Sequence, residues 1–465
     1  MSAPPALAEE LGRFIARFRL EDSEQRDALL ERARWHLLDV VGLGYAGWRA
    51  EDRYLEKLAA SQSLGSEGPC TVIGASVRAD AERAAWLNAA SVHTWDFDDV
   101  DLTTVMHCES FAVGAVLPLA EELDASGLRL AEATLVAMEV ALRLASAPDG
   151  AGGLLRFGFH PTAVFGAFGA AAGAARLLGL DEVQAANALA FVASFTSGTA
   201  HGWALGSGRN KPIQVGWAAR AGVAAARLAE ASCTCSLEAI EGTYGTLHAH
   251  THGGPWTVER VLDGLGQEWR LEALAIKLFP CGGIGQGTAE CMQELHRLGV
   301  RPDDVRSGTI TMPYWMEAAL TQIGEQLHRP TSGSSSIGAV PCIGARVLME
   351  GTLRLQHLTD AAVRDPDMLA LADRLSVEIG APVADGAPDE QPVHVQLDTG
   401  EGRVEWRVVF EGGHPQRLTK DRVVQKFHEN VEGRVDHARA AAIEAAVFDV
   451  EHLVSVRALT GLIAA

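Results

Sequence analysis

Basic residues are the scarce class in this 465-residue chain, where 39 Lys and Arg stand against 60 Asp and Glu, a formal net charge of −21. Such a surplus repels nucleic-acid phosphates and anionic lipids at long range, so neither is an expected partner. Small anionic substrates are not excluded, because within a Debye length of roughly 8 Å a local pair of cations outweighs the total charge. Aromatic residues are only 6% of the chain. The seven cysteines are scattered, odd in number and without a CxxC pair, which argues against a disulfide scaffold or a zinc module. The start, Met-Ser-Ala-Pro-Pro, has neither the basic residues nor the apolar core of a secretory signal, so a cytoplasmic protein is expected. The most apolar run, Pro161–Ala175, meets Arg176 before it reaches the length of a membrane span. HExxH and Walker A patterns are missing, no strand–GxGxxG–helix unit is present, and the serines at Ser334–Ser336 do not form GxSxG.

What the chain has in abundance is Ala and Gly at helical spacing. Ala131–Ser146, Pro161–Leu178, Glu182–Phe195 and Trp217–Ala231 repeat apolar positions every three or four residues. Pro161 suits a first helical turn, and Gly179 a position after the last turn that needs positive φ. Asp181 with Gln184 reads as a capping box. Small side chains in such numbers imply helices packed closely against one another. From about Leu274 the pattern changes to β-like runs at Thr309–Met312, Leu375–Ile379, Val393–Leu397 and Val404–Phe410. Helical stretches at Thr288–Leu298 and Ala339–Met349 separate them, and Gly380–Pro388 reads as a turn. Lys420–Asn430 and Ala438–Ala446 return to helix. The expected fold is mainly α: a large, discontinuous all-helical domain (1–272 and the C-terminal helices 413–465) with a smaller α+β domain, 273–412, inserted.

Five segments could carry chemistry. Asn88–Asp99, NAASVHTWDFDD, gathers His93, Asp96, Asp98 and Asp99 around one turn, and His107 follows eleven residues after Asp96. It can be read as a divalent-metal site, as carboxylates orienting His107 for acid/base work, or as a solvated cap. GFHPT places His160 at the start of an Ala-rich helix, where it serves either as an N-cap or beside a bound carboxylate. Arg209 and Lys211 lie in the Gly/Ser-rich stretch Gly202–Val215, a candidate carboxylate clamp or an ordinary loop. Lys277 begins KLFPCGGIGQGT, a glycine-rich turn with Thr288 as the expected N-cap and backbone amides that could cradle an anion. His248, His250 and His252 alternate in LHAHTH, with little else to make a metal site.

Taken in order, these segments resemble the MmgE/PrpD family, which includes 2-methylcitrate dehydratases, cis-aconitate decarboxylases and iminodisuccinate epimerases. The resemblance runs through Thr71–Gly74, Asn88 to His107 with the DFDD element, GFHPTAVFGAFGAAAGAARLLGLD, Lys211 with GWAARAG, Lys277 with FPC, the Ser335–Gly344 helix start and HPQRLTKDRVVQKF. It implies a helical domain plus a smaller α+β domain, a homodimer, and cofactor-independent chemistry on a small-molecule carboxylate between the domains. The family's active-site positions look similar at Asp96, His107, His160, Lys211, Lys277 and Tyr314. Val100, Gln214, Gly282 and Gln286 depart from the family pattern, as does Cys108–Phe111 after His107. On this reading Lys211 and Lys277, assisted by Arg209 and the Gly282–Gly287 amides, bind substrate carboxylates, with Tyr314, Gly283 and Gln286 as further contacts. His107 and His160 divide the proton transfers and Asp96 orients one imidazole. The expected activity is a lyase, first a dehydratase of a small hydroxy-carboxylate. An epimerase of an amino- or imino-dicarboxylate, a decarboxylase of an unsaturated tricarboxylate and a non-catalytic degenerate homologue are the alternatives.

Overall fold

A computed structural model describes residues 6–62, 68–148, 153–201, 209–317, 320, 327–381, 392–409 and 417–464. The helices that build the site are α1 (Leu7–Arg17), α2 (Arg26–Gly47), α3 (Ala81–Val92), α4 (Cys108–Glu122), α5 (Gly127–Ala145), α6 (Pro161–Leu178), α7 (Glu182–Val192) and α8 (Asn210–Glu230). Small residues set their spacing. A Cβ on Gly169 of α6 would lie 2.4 Å from Ala137 O of α5, and one on Gly222 of α8 would lie 2.4 Å from Ala170 Cβ. Neither helix could approach its neighbour so closely with a larger side chain. Helix α6 begins at Pro161 and ends on Gly179 at φ +69, and Asp181 accepts the Gln184 amide to cap α7. At eighteen residues α6 is long and apolar enough to cross a membrane, more so than the sequence run implied, yet 89% of it is buried among the other helices.

The second part holds α9 (Gly283–Arg297), α10 (Val340–Glu350) and a four-stranded sheet. Among the short strands that precede that sheet in the chain, β1 (Asp99–Val100) and β2 (Ala275–Ile276) pair with each other. The sheet strands are β3 (Val305–Met312), β4 (Leu375–Ile379), β5 (Val393–Thr399) and β6 (Gly402–Val408), in the order β4-β3-β5-β6. β3 runs parallel to β4 and antiparallel to β5. Its alternate residues Ile310 and Met312 pack with Val395, Leu397, Met292 and Leu348 in a core of its own. The larger core takes its side chains from residues 7–276, Leu358 and residues 418–463, which include α11 (Lys420–Val431) and α12 (His437–Phe448). The chain is therefore mainly α with a smaller α+β part.

Two local readings of the sequence do not hold. The stretch Gly282–Gly287 is helix rather than turn, with Gly282 as the N-cap of α9 and Thr288 buried inside it. The glycines there serve packing: a Cβ on Gly285 would lie 2.7 Å from Ile343 Cδ1, and one on Gly287 2.7 Å from Val393 Cγ2. Helix α8 starts at Asn210, so Lys211 lies in its first turn rather than in a loop; residues 202–208 of the proposed clamp and 382–388 of the proposed turn lie outside the described residues.

Candidate active site

Three imidazoles meet because three helices end at the same place. His93 is the C-cap of α3, His107 the N-cap of α4 and His160 the N-cap of α6. Their ring centroids lie 4.9 Å (His93–His107), 5.8 Å (His93–His160) and 6.3 Å (His107–His160) apart. His160 makes no side-chain cap bond to its helix. All three rings are buried.

The carboxylates enter on the turn after His93. Asp96 sits at φ +49, a left-handed conformation that costs a non-glycine residue energy. Asp98 and Asp99 follow, and the Asp99↔Ile276 pairing of β1 with β2 brings the next residue of β2's chain, Lys277, onto this turn. Lys277 is fully buried, and its ammonium reaches Asp96 O at 2.8 Å, Asp96 Oδ1 at 2.6 Å and Asp98 Oδ1 at 3.3 Å. Three protons thus meet three oxygens. Lys211, from the first turn of α8, donates to Asp96 Oδ2 at 2.6 Å and lies 3.5 Å from His107 Nε2. One carboxylate therefore bridges two ammonium groups.

The imidazoles are oriented from behind. His107 Nδ1 lies 2.7 Å from Asp99 O, which makes that nitrogen the N–H donor and leaves Nε2 as the basic atom on the Lys211 side. His93 Nδ1 donates to Asp98 Oδ2 at 2.6 Å, so its Nε2 is likewise the basic nitrogen. Asp99 caps α4 by accepting the Cys108 amide at 2.7 Å. Behind that lies a second buried layer: Glu109 receives the Asp99 amide at 3.1 Å and contacts His36 Nδ1 at 2.7 Å, while Lys426 of α11 donates to Asp39 Oδ2 at 2.6 Å and to Phe97 O at 2.7 Å.

The electrostatics follow from this arrangement. Burial lowers the pKa of His107 far below the usual value, and Lys277 and Lys211 lower it further. Burial and then Lys211 do the same to His160. Both rings are neutral at pH 7. Burial pushes the Asp96 and Asp98 carboxyls up, but the surrounding cations outweigh it and hold both well below the ordinary carboxylate range. Burial also lowers Lys211, against the pull of Asp96, which makes its ammonium a better acid. Lys277 is raised, because Asp96 and Asp98 outweigh its burial. Asp99 and Glu109 are pushed far up by burial and by neighbouring carboxylates.

The ligand nitrogens of His93, His107 and His160 lie within 4.8 Å of one another, as do the ligand atoms of His93, Asp96, Asp98 and His107. Either set has the reach to hold a metal ion. Two ammonium groups at 3.2 and 3.5 Å from the His107 nitrogens oppose a cation there. The LHAHTH histidines make no such group among the described residues; His250 packs on Phe159 with ring centroids 4.7 Å apart.

Of the nine site residues expected from the sequence, Asp96, His107, His160, Lys211 and Lys277 come together. Several of the roles change. Asp96 does not orient an imidazole, since its nearest approach to His107 Nε2 is 3.6 Å; it couples the lysines. Lys277 is not a substrate clamp, because its protons are already engaged. Arg209 is turned to Asp52 Oδ2 at 2.8 Å and Thr94 O at 2.9 Å and lies over Tyr54 and Trp95, so it braces the turn instead of facing a ligand. Gln286 is fully buried; it accepts from the Leu278 and Phe279 amides and donates to Phe279 O and Cys281 O. It staples the turn after Lys277 and leaves nothing for a substrate. Gly283 opens α9 against Val100, and Tyr314 lies on an exposed turn after β3. The residue beside the centre is Gly282, whose Cβ would come 3.1 Å from Asp96 Oδ2. The sequence alone points to no separate role for His93 or Asp98, although both stand in the Asn88–Asp99 segment singled out above.

A cis-aconitate decarboxylase-like protein of Aspergillus oryzae is 27% identical over 96% of this chain and 95% of its own length. A cis-aconitate decarboxylase of Aspergillus terreus is 30% identical over 58% of this chain and 56% of its own, and the human cis-aconitate decarboxylase is 24% identical over 94% and 90%. Residues 9–259 match the MmgE/PrpD N-terminal domain and residues 279–451 the MmgE/PrpD C-terminal domain, and the chain belongs to the MmgE/PrpD family.

Proposed function

We propose that this protein is a lyase that acts on a small di- or tricarboxylate by forming a carbanion next to a carboxylate. The observation that carries the reading is the Asp96 carboxylate held between Lys211 and Lys277, beside two imidazoles kept neutral at pH 7. Lys211 is the cation with access to a ligand, since its side chain is 13% exposed and that of Lys277 is 0%. It binds the substrate carboxylate and, as charge builds on the adjacent carbon, stabilises the enediolate. Lys277 contributes its field through Asp96 without leaving its place.

The names of the relatives favour decarboxylation of an unsaturated tricarboxylate over the dehydration first expected. In that reaction the C–C bond to the departing carboxylate breaks, CO₂ leaves, and the electron pair passes into the conjugated carboxylate. The carbon is then protonated, and Lys211 is the proton donor because its ammonium is already made more acidic by burial. In a dehydration the neutral Nε2 of His107 would instead remove the proton and an acid would expel hydroxide. The meeting of Asp96, His107, His160, Lys211 and Lys277 favours a catalyst over a degenerate binding protein.

The test is proton NMR of the purified protein with cis-aconitate and with hydroxy-di- and tricarboxylates. Loss of a carboxyl group from an unsaturated acid supports the decarboxylase; new alkene signals from a hydroxy acid would move the assignment to a dehydratase. Lys211→Met is expected to reduce turnover by at least about a hundredfold, and full turnover by that variant would remove the basis for the proposal.

A further inference from the structure

A cavity of about 340 Å³ lies between α11, the segment after α2 and the α+β part. Phe97, which stands between Asp96 and Asp98, forms part of its wall, as does Leu278, the neighbour of Lys277. It is therefore separated from the imidazole centre by the very segments that carry that centre. Three arginines line it from three different elements: Arg49 after α2, Arg422 in α11, and Arg354 in the turn after α10. Two of them stand on the helical part and one on the α+β part.

Asn430 closes the cavity from within. It is 2% exposed, packs its Cβ against α2 where Gly42 leaves room, and its amide nitrogen has no hydrogen-bond partner. A buried amide without a partner is costly unless a ligand or water supplies one. The cations are likewise incompletely matched. Arg49 donates to Glu432 O, and burial and the neighbouring Arg434 keep its guanidinium below the usual range in spite of Glu432. No ion pair joins Arg354 or Arg422 to a carboxylate among the described residues. Two carboxylates, Glu429 and Glu432, also line the cavity; Glu429 accepts from the Gln425 amide. Lys426 is already paired with Asp39.

We propose that this cavity binds a small oxyanion, a phosphate or carboxylate group of a metabolite, held by Arg49, Arg354 and Arg422 with a hydrogen bond from Asn430. Guanidinium forks are suited to planar and tetrahedral oxyanions, and here they converge from both parts of the molecule. The bound group ties α11 to the turn after α10, and so fixes the wall behind Asp96 and Lys277.

Isothermal titration of the full-length protein with inorganic phosphate and, separately, with citrate tests this. Binding of phosphate alone assigns a phosphate-bearing ligand, and binding of citrate alone a carboxylate. The double variant Arg354→Ala/Arg422→Ala, which changes two exposed side chains, is expected to weaken that binding at least tenfold, and Asn430→Leu to weaken it less. Lys211→Met, which alters the catalytic centre, is expected to leave it unchanged. The proposal is overturned if neither anion binds, if the double variant binds as the parent does, or if binding is lost in Lys211→Met alone. The last result would place the anion in the catalytic centre and leave the lyase reading standing.

Discussion

His93 and Asp98 make a dyad in which the carboxylate fixes both the ring and its tautomer. Asp98→Asn keeps the shape but offers an amide where the imidazole and Lys277 both need an acceptor. We expect a fall in kcat/KM of about 10²–10⁴, with a folded protein by circular dichroism; unchanged kinetics would assign the dyad a purely structural role. The imidazoles also set a pH dependence. His36, His107 and His160 all have pKa values well below the ordinary 6.5 in the folded state. Unfolding exposes them and takes up protons once the pH is below 6.5, so their contribution to stability is present above that pH and declines as the pH falls. The acid limb of kcat/KM is correspondingly expected below pH 6.5, and a limb at or above it would mean that His107 and His160 are not held neutral in the working enzyme. At this scale the sequence revealed types better than roles. A dense cluster of Asp and His was visible, but which carboxylate serves which partner depends on the left-handed turn at Asp96 and on the β1–β2 pairing, which joins residues far apart in the chain. Gln286 was misread because a buried amide that satisfies four backbone groups cannot be told by sequence from one that faces a ligand.

At the scale of the element, glycine decides how the helices meet. Gly169 and Gly173 of α6 face α5, and a Cβ on Gly173 would meet Val116 Cγ1 at 2.7 Å and Ala133 O at 2.9 Å. Gly169→Val forces α5 and α6 apart and is expected to destabilise the protein by about 1–3 kcal/mol or more, read as a lower midpoint in urea. A midpoint equal to that of the parent would show that the crossing can relax. The boundaries of α6 were legible because Pro161 and Gly179 act locally, through a fixed φ and a positive one. The start of α9 was not. The same residue type that ends α6 continues α9, where Gly285 and Gly287 admit Ile343 and Val393, and close packing of that kind leaves no local mark.

At the scale of the molecule, the chain passes from one hydrophobic core to another around Lys277, with Ile276 in the larger and Phe279 in the smaller. The change from Ala-rich helix to alternating strands near Leu274, and back to helix at Lys420, made the mainly α architecture visible before any coordinates. What could not be read was that α11 returns Lys426 to the rear of the catalytic turn, because the contact joins Asp39 to a residue near the far end of the chain. The central claim is that this buried centre quenches a carbanion formed next to a carboxylate. Turnover of an unsaturated tricarboxylate in D₂O, followed by NMR, tests it most directly. The account predicts a decarboxylated product with one solvent deuterium on the carbon that lost CO₂ or on its allylic partner, and loss of that product in Lys211→Met. Product formed without deuterium on carbon, or formed equally well by Lys211→Met, would contradict it.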